Sequence, residues 1–212
     1  MSIEKIRTYD KTWKEYDEWY DTHQALYQSQ IKALKKIVPS GQGLEIGVGT
    51  GRFASPLAVR FGLDPSLNML KLAKQRNIKV VLGFGENLPF KNESFNFVTI
   101  VYTIELVDDP LRFLKEAVRT LKKRGALILG MLDRESSWGK FYKQKAAQSK
   151  YYNVFRFFSP EEILQIFKKL PLEYKVAFQT QFHPPPDIKD IEEPKKGFGQ
   201  GGFVVLKAIK VQ

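Results

Sequence analysis

The stretch LEIGVGTGRF, residues 44–53, sets three glycines at alternate positions behind an acid inside an apolar run. Glycine has no Cβ and accepts positive φ, so such a turn between a strand and a helix lets a ligand lie against bare backbone. In open parallel sheets that place is the carboxyl end of a strand. Two phosphate readings fail. A P-loop needs Gly-Lys-Ser/Thr, whereas Gly51 is followed by Arg52 and Phe53. The dinucleotide fingerprint G-x-G-x-x-G would put its third glycine one position after Gly51. Glu45 argues the same way, because a pyrophosphate on a helix N-terminus wants positive potential. A carboxylate two residues before Gly47 suits a ligand that carries positive charge.

Outward from this turn the signals alternate. Residues 43–48 read as a buried strand, 50–59 as a short helix, 60–63 as a strand, and 65–76 as a helix begun by Asp64 or Ser66. Residues 78–83 form a third predicted strand, and 95–102 a fourth that is too continuously apolar to have a wet face. Asp109 as N-cap, Pro110 at the first helical position and the stripe Leu111, Leu114, Val118 and Leu121 predict a helix ahead of a fifth strand at 126–132. Upstream, residues 10–21 and 23–38 carry helical patterns. After Asp133 a polar and aromatic stretch leads to a helix at 159–170, opened by the capping box of Ser159 and Glu162. Two strands, 173–181 and 202–209, close the pattern, joined by a loop of about twenty residues that contains HPPPD. Strands alternating with helices over short connections predict an α/β fold with a mostly parallel sheet covered on both faces.

Composition narrows the function classes. With 212 residues, 43% of them hydrophobic, one substantial core is expected. No run approaches a membrane span, and the charged opening MSIEKIRTYDKTWKEYDEW is unlike a signal peptide, so the expected location is cytoplasmic and no membrane partner is expected. The absence of cysteine removes disulfides, thiolate metal sites and a cysteine nucleophile, and two histidines make a structural metal improbable. The net charge of +11 raises nucleic acid as an alternative partner, but the basic residues are spread along the chain, mostly near helix ends, as a solvated surface would have them.

Residues 44–51 resemble motif I of the class I S-adenosylmethionine (SAM) methyltransferases, hh[E/D]hGxGxG. Three further stretches follow in the family's order. Gly62-Leu63-Asp64-Pro65-Ser66 resembles the end of its second strand; Gly85-Glu86-Asn87-Leu88-Pro89-Phe90, with the Ser94-Phe95 that follows, resembles its third motif; Glu116 to Lys122 resembles its "E-x-x-R-h-L-K" helix. The N-terminal Tyr16-Asp17-Glu18-Trp19-Tyr20, continuing to His23 and Tyr27, resembles the lead-in of the type 11 methyltransferases, which include ubiquinone and menaquinone biosynthesis enzymes. The resemblance implies a Rossmann-like class I methyltransferase fold: a mostly parallel sheet of about seven strands with an antiparallel C-terminal strand and helices on both faces. It implies one domain over 1–212, with an N-terminal helical lid (1–39), a SAM-binding core (40–132), a substrate cap and helix (133–170) and C-terminal strands (171–212).

The same resemblance implies SAM as cofactor and S-adenosylhomocysteine as product. Glu45, Gly47, Gly49 and Gly51 would meet the methionine part, Asp64 and Pro65 the ribose, Gly85 and Glu86 the adenine side, Tyr102 the amino group through its carbonyl, and Tyr16 and Tyr27 the lid. No catalytic residue is assigned, because the cofactor carries the reactive methyl. The sequence departs from the family at Phe84, where an acid for the adenine amino group is usual, and at Lys122-Lys123-Arg124-Gly125, which lacks a proline and a glycine. Trp138, Phe141, Tyr142, Tyr151, Tyr152 and Phe155 could line an acceptor pocket or pack a cap onto the sheet. His23 reads as a partly exposed helix residue. The leading expectation is transfer of a methyl group to a small molecule; the alternatives are an RNA or protein methyltransferase and a non-catalytic SAM-binding protein.

Overall fold

The computed structural model describes residues 3–186 and 188–211, so Asp187 of the HPPPD segment lies outside the described residues. The apolar stretch ahead of the glycines becomes β1 (Gly43–Ile46), buried along its whole length. It pairs in parallel with β2 (Phe61–Asp64) on one side and β4 (Phe95–Val101) on the other. β3 (Lys79–Leu82) extends the sheet beyond β2, and β5 (Leu121–Leu132) beyond β4, both in parallel. β8 (Phe203–Lys210) then runs antiparallel between β5 and β6 (Leu172–Thr180), and the two-residue β7 (Lys195–Lys196) pairs with β6. The order is β3-β2-β1-β4-β5-β8-β6-β7, eight strands where the sequence predicts about seven. The extra strand lies in the long loop and is too short to show a period of two.

Side chains alternate across this sheet as the pleat requires. Leu44, Ile46, Val98 and Ile100 join Phe113, Leu114 and Ala117 of α5 (Pro110–Thr120) and Ile163 and Phe167 of α7 (Pro160–Phe167) in one core. Phe97, Val101 and Ile128 face the other way, against Ile31, Ala33 and Leu34 of α3 (Gln24–Lys35), the 53–59 segment, and Leu70 and Ala73 of α4 (Leu67–Gln75). The helix starts are chemically defined. Ser66 accepts from Met69 N at α4, Asp109 accepts from Arg112 N with Pro110 behind it, and Ser159 and Glu162 complete the capping box of α7.

Three segments differ from the sequence expectation. Residues 50–59 form turns rather than a helix. One α-type bond joins Ser55 N to Gly51 O, but Pro56 has no N–H to continue the ladder and Ala58 sits at φ +56°. The N-terminus holds a helix the pattern did not predict, α1 (Ile3–Lys11), which buries none of its residues and is followed by α2 (Trp13–Thr22). The aromatic stretch also holds α6 (Ser137–Lys145), capped by Ser136 accepting from Gly139 N at 2.9 Å. Among the described residues no helix is long and apolar enough to cross a membrane.

Candidate cofactor and acceptor site

A cavity of about 350 Å³ opens over the carboxyl ends of β1, β2 and β4, the switch point where an open parallel sheet takes its ligand. Gly47 and Gly49 line it, both with positive φ (+75° and +52°). A Cβ on Gly47 would stand 2.2 Å from Thr103 Oγ1, so backbone and threonine touch directly. A Cβ on Gly49 would find room, its nearest atoms being Met69 Sδ at 3.5 Å and the Tyr16 ring at 3.7 Å. The need for glycine there is therefore conformational, and its open face looks at the cavity. Gly51 stands apart from the other two. It lies outside the lining, and its missing Cβ makes room for Ile78 Cδ1 (2.5 Å) and the Ala73 backbone (3.3 Å). That third glycine serves the packing of α4.

The two motif acids are layered. Asp64, at the end of β2, lines the cavity and accepts from Gly49 N and Ser66 N, each at 2.9 Å, so it braces the glycine turn and the start of α4 together. Burial raises its carboxyl to about 6, against the lowering effect of those two N–H groups. Glu45 lies beneath the loop, outside the lining, with Thr99 Oγ1 at 3.3 Å. Burial, with the Asp64 carboxylate adding to it, lifts Glu45 to about 8. Both carboxyls are thus held part-neutral, a condition that an incoming cation would reverse. Asp10, unassigned from sequence, accepts from Ser66 Oγ at 2.6 Å and from the Asn68 side chain and backbone, tying α1 to the start of α4.

α2 lies over the glycines. Tyr16 lines the cavity and accepts from Tyr20 Oη at 2.9 Å; edge-to-face contacts run from Tyr9 through Tyr16 and Tyr20 to Phe53. The helix is fastened by ions. Asp17, 8% exposed, accepts from Nε and Nη2 of Arg52 (2.9 and 2.7 Å) and from both Nη atoms of Arg76 (2.8 Å each), while Asp21 takes the other edge of Arg52 at 2.7 Å. Arg52 is the residue directly after Gly51, so the cluster binds helix α2 to the glycine turn. Tyr27 differs from the expectation for the lid: it lies outside the cavity, and its hydroxyl donates to the Arg52 carbonyl. His23 is exposed and stacked on Trp19 at 4.2 Å.

The opposite wall comes from the segment after β5. Tyr142, Tyr151, Tyr152 and Phe155 line the cavity, with Tyr142 and Tyr152 stacked at 4.2 Å. Phe141 is outside the lining, under Lys145, and Trp138 is 2% exposed, its indole against Gly202 and its N–H donating to His183 O at 2.7 Å. Trp138 therefore packs the segment down. Tyr102, at the end of β4, lines the cavity at φ +52°, its hydroxyl accepting from Gln30 Nε2 at 2.8 Å. A cleft beside Gly47 and Pro65 is lined by Phe84, Gly85, Glu86 and Thr103. Its loop is pinned by the E-x-x-R pair: Glu116 accepts from Leu88 N, and Arg119 donates to the carbonyls of Leu88 and Phe90.

Three buried polar residues escaped the sequence reading. Gln30 and Gln181 line the cavity and Glu105 sits behind it; each keeps a side-chain oxygen with no hydrogen-bond partner among the described residues. Glu105 accepts from Leu132 N at 3.1 Å through its other oxygen, and burial lifts it to about 7. These residues follow no motif; only burial reveals them. Among the described residues no cluster of His, Cys, Asp and Glu could hold a metal ion. The residues fit a ligand with positive charge and hydroxyl groups: an open glycine face, a carboxylate with lone pairs to spare at Asp64, a second acid beneath, and aromatic rings above.

A family profile described as "Methyltransferase domain" matches residues 44–129. The chain is 43% identical over 206 residues to an uncharacterized protein of Methanocaldococcus jannaschii, covering 97% of this chain and all of that one. It is 34% identical over 151 residues to demethylmenaquinone methyltransferase of Staphylococcus haemolyticus, covering 69% of this chain and 58% of that protein. Its fold superposes with a TM-score of 0.94 and 43% identity, over 97% of this chain and 99% of the other, on a SAM-dependent methyltransferase of Thermotoga maritima described as a possible histamine N-methyltransferase.

Proposed function

We propose that this chain, which belongs to the class I SAM-dependent methyltransferases, transfers a methyl group from SAM to a small-molecule acceptor. The observation that carries the reading is one cavity lined both by Gly47, Gly49, Asp64 and Pro65 and by Tyr142, Tyr152 and Phe155. SAM, when bound, supplies a sulfonium methyl that an acceptor lone pair displaces in line, leaving a neutral thioether. The protein's part is alignment and exclusion of water. Gly47 and Gly49 admit the cofactor to bare backbone; Asp64 takes ribose hydroxyls on its remaining lone pairs; Glu45 and Asp64 set a negative field under the cationic centre. Tyr16 covers the site from α2, Pro65 shapes its floor, Gly85 and Glu86 border the adenine cleft, and the Tyr102 carbonyl takes the amino group. Residues 1–39 act as the lid, 40–132 as the cofactor core, 133–170 as the acceptor cap and 171–212 as the closing strands of one domain.

An acceptor end lined by aromatic rings supports a small molecule over a polymer, and the two relatives named above with their acceptors are named for small molecules. Calorimetric titration with SAM and with S-adenosylhomocysteine, beside Asp64→Ala, tests the reading. Binding that the variant loses supports it; a folded protein that binds neither ligand overturns it.

A further inference from the structure

The basic residues are scattered in sequence, but the topology gathers many of them at one end. The cavity takes the carboxyl ends of β1, β2 and β4, and the opposite edge of the sheet, where the parallel strands begin, is cationic. Lys35 and Lys36 stand between the body of α3 and β1, Arg60 directly before β2, and Lys79 at the first position of β3. Lys91 lies ahead of β4, Lys122, Lys123 and Arg124 open β5, and Lys168 and Lys169 separate α7 from β6. All ten are exposed, and none of them is in an ion pair among the described residues. The exposed acids beside them, Glu93 and Glu173, are met instead by Lys210 and Lys175. Helix dipoles account for part of this, since α3, α5 and α7 end here and a cation near a helix C-terminus is favourable. They do not account for the centre of the row. Phe95 pairs with Leu121 and Phe97 with Ala126, so four residues of β5, Lys122-Lys123-Arg124-Gly125, bulge out opposite Asn96. The bulge presents three consecutive cations, with Lys122 donating to Asn96 Oδ1 at 3.5 Å and Arg124 at φ +59°. Like charges held side by side repel, a cost that a polyanion removes.

The form of the row says which polyanion. The six steps from β3 to β6, at about 4.8 Å each, make it about 29 Å long. A twist of about 20° per step turns it through on the order of 120°. A flat bilayer would meet part of such an edge, whereas an elongated polymer can follow it. Tyr174 and Val211 are its exposed large hydrophobic side chains among the described residues, too few to enter a membrane or to stack the successive bases of a single strand. A duplex hides its bases and offers phosphates. We infer that the amino-end edge of the sheet is a docking surface for the phosphate backbone of a nucleic-acid duplex, centred on Lys122, Lys123 and Arg124. Its contacts are to phosphate, so binding does not depend on base sequence. The edge lies across the sheet from the cavity, so the duplex locates the protein and does not supply the methyl acceptor. The small-molecule reading neither rests on this surface nor falls with it.

Fluorescence anisotropy with a labelled DNA duplex of about 20 base pairs, titrated between about 50 and 200 mM salt, tests the assignment. Each phosphate neutralised adds about 0.9 to the slope of log affinity against log salt, and a slope of magnitude about 5 or more is expected. Lys122→Ala with Lys123→Ala and Arg124→Ala is expected to lower that magnitude by about 2–3 and to weaken binding at least about tenfold at the lower salt. Lys140→Ala with Lys143→Ala and Lys145→Ala removes three exposed cations of α6, away from the edge, and is expected to change affinity less than about threefold. If the first variant does not fold, Lys168→Ala with Lys169→Ala takes its place, with an expected slope change of about 1–2. No binding of the duplex at the lower salt, tighter binding of the single strand of the same sequence, capture by phosphatidylserine vesicles in preference to the duplex, or an equal loss from the α6 variant would each overturn the assignment.

Discussion

Asp17→Asn isolates the ion cluster that fastens α2 to the glycine turn. The carboxylate is lost while size is kept. Burial acts to raise Asp17, but the hydrogen bonds from Arg76 and Arg52 prevail and hold it at about 2, against 3.8 for an ordinary aspartate. That difference corresponds to about 2.4 kcal/mol of folding free energy. The structure says how the loss is divided. Arg52 keeps both bonds to Asp21, whereas Arg76 keeps the Thr50 carbonyl at 2.6 Å and loses its carboxylate. Removing one partner of a buried pair usually costs about 3–5 kcal/mol, so with Arg52 still compensated a loss of about 2–3 kcal/mol is expected. The sign with pH follows from the lowered carboxyl: its contribution is complete above about 4 and disappears as pH falls toward 2. Urea unfolding of both proteins at pH 7, 4 and 3 measures the gap, which should narrow at the acid end. A gap under about 1 kcal/mol at pH 7, or one that does not narrow, would refute the reasoning. SAM titration of the folded variant should also show weaker binding, because the helix carrying Tyr16 has lost its fastening.

Gly49→Ala and Gly51→Ala should part company: the first, with room for its Cβ but strained at positive φ, weakens SAM binding with about 1 kcal/mol lost in stability, while the second, driven against Ile78 and Ala73, lowers the melting temperature and leaves binding in the folded fraction intact. SAM affinity measured by calorimetry should rise between pH 6 and 8, since a cation favours the ionised forms of carboxyls that burial holds at about 6 and 8, and Glu45→Gln should flatten the upper part of that rise. Trp138→Ala should destabilise by about 3–5 kcal/mol in denaturant titrations, whereas Tyr152→Ala should spare stability relative to it and reduce turnover with SAM binding retained.

The glycine-turn wall of the cavity, the proposed cofactor half, was legible because its pattern is local in sequence. A strand, a turn at positive φ and a helix cap must follow one another within a few residues, so Gly47, Gly49, Asp64 and Ser66 announce themselves. Gly51 belongs to the same run for another reason: its neighbours Ala73 and Ile78 are more than twenty positions on, and no local pattern distinguishes a glycine that admits a ligand from one that admits a helix. Tyr27 and Trp138 were open to two readings for a related reason, since an aromatic side chain suits a cavity wall and a core equally. The proposed acceptor end was legible only in its rings, Tyr142, Tyr151, Tyr152 and Phe155. Gln30 and Gln181 carry no spacing rule and come to one cavity only when α3 and β6 meet, and α1 was missed because it buries nothing and is held through contacts such as that of Asp10 with Asn68.

Glu192 has a wider consequence. Its carboxylate accepts from Thr180 Oγ1 and from the backbone N–H groups of Phe182 and His183, and its own N–H donates to Ser29 Oγ. The knot gathers the α3 segment and the end of β6 across most of the chain, while every strand contact under the glycine turn is short-range by comparison. In folding, loop-closure entropy disfavours such distant contacts, so the strand pairs under the glycine turn are expected to form before the Glu192 knot closes. In stability the two regions are separable: substitutions around the Glu192 knot are expected to loosen the contact of α3 with β6 while leaving the glycine turn and its bonds to Asp64 in place.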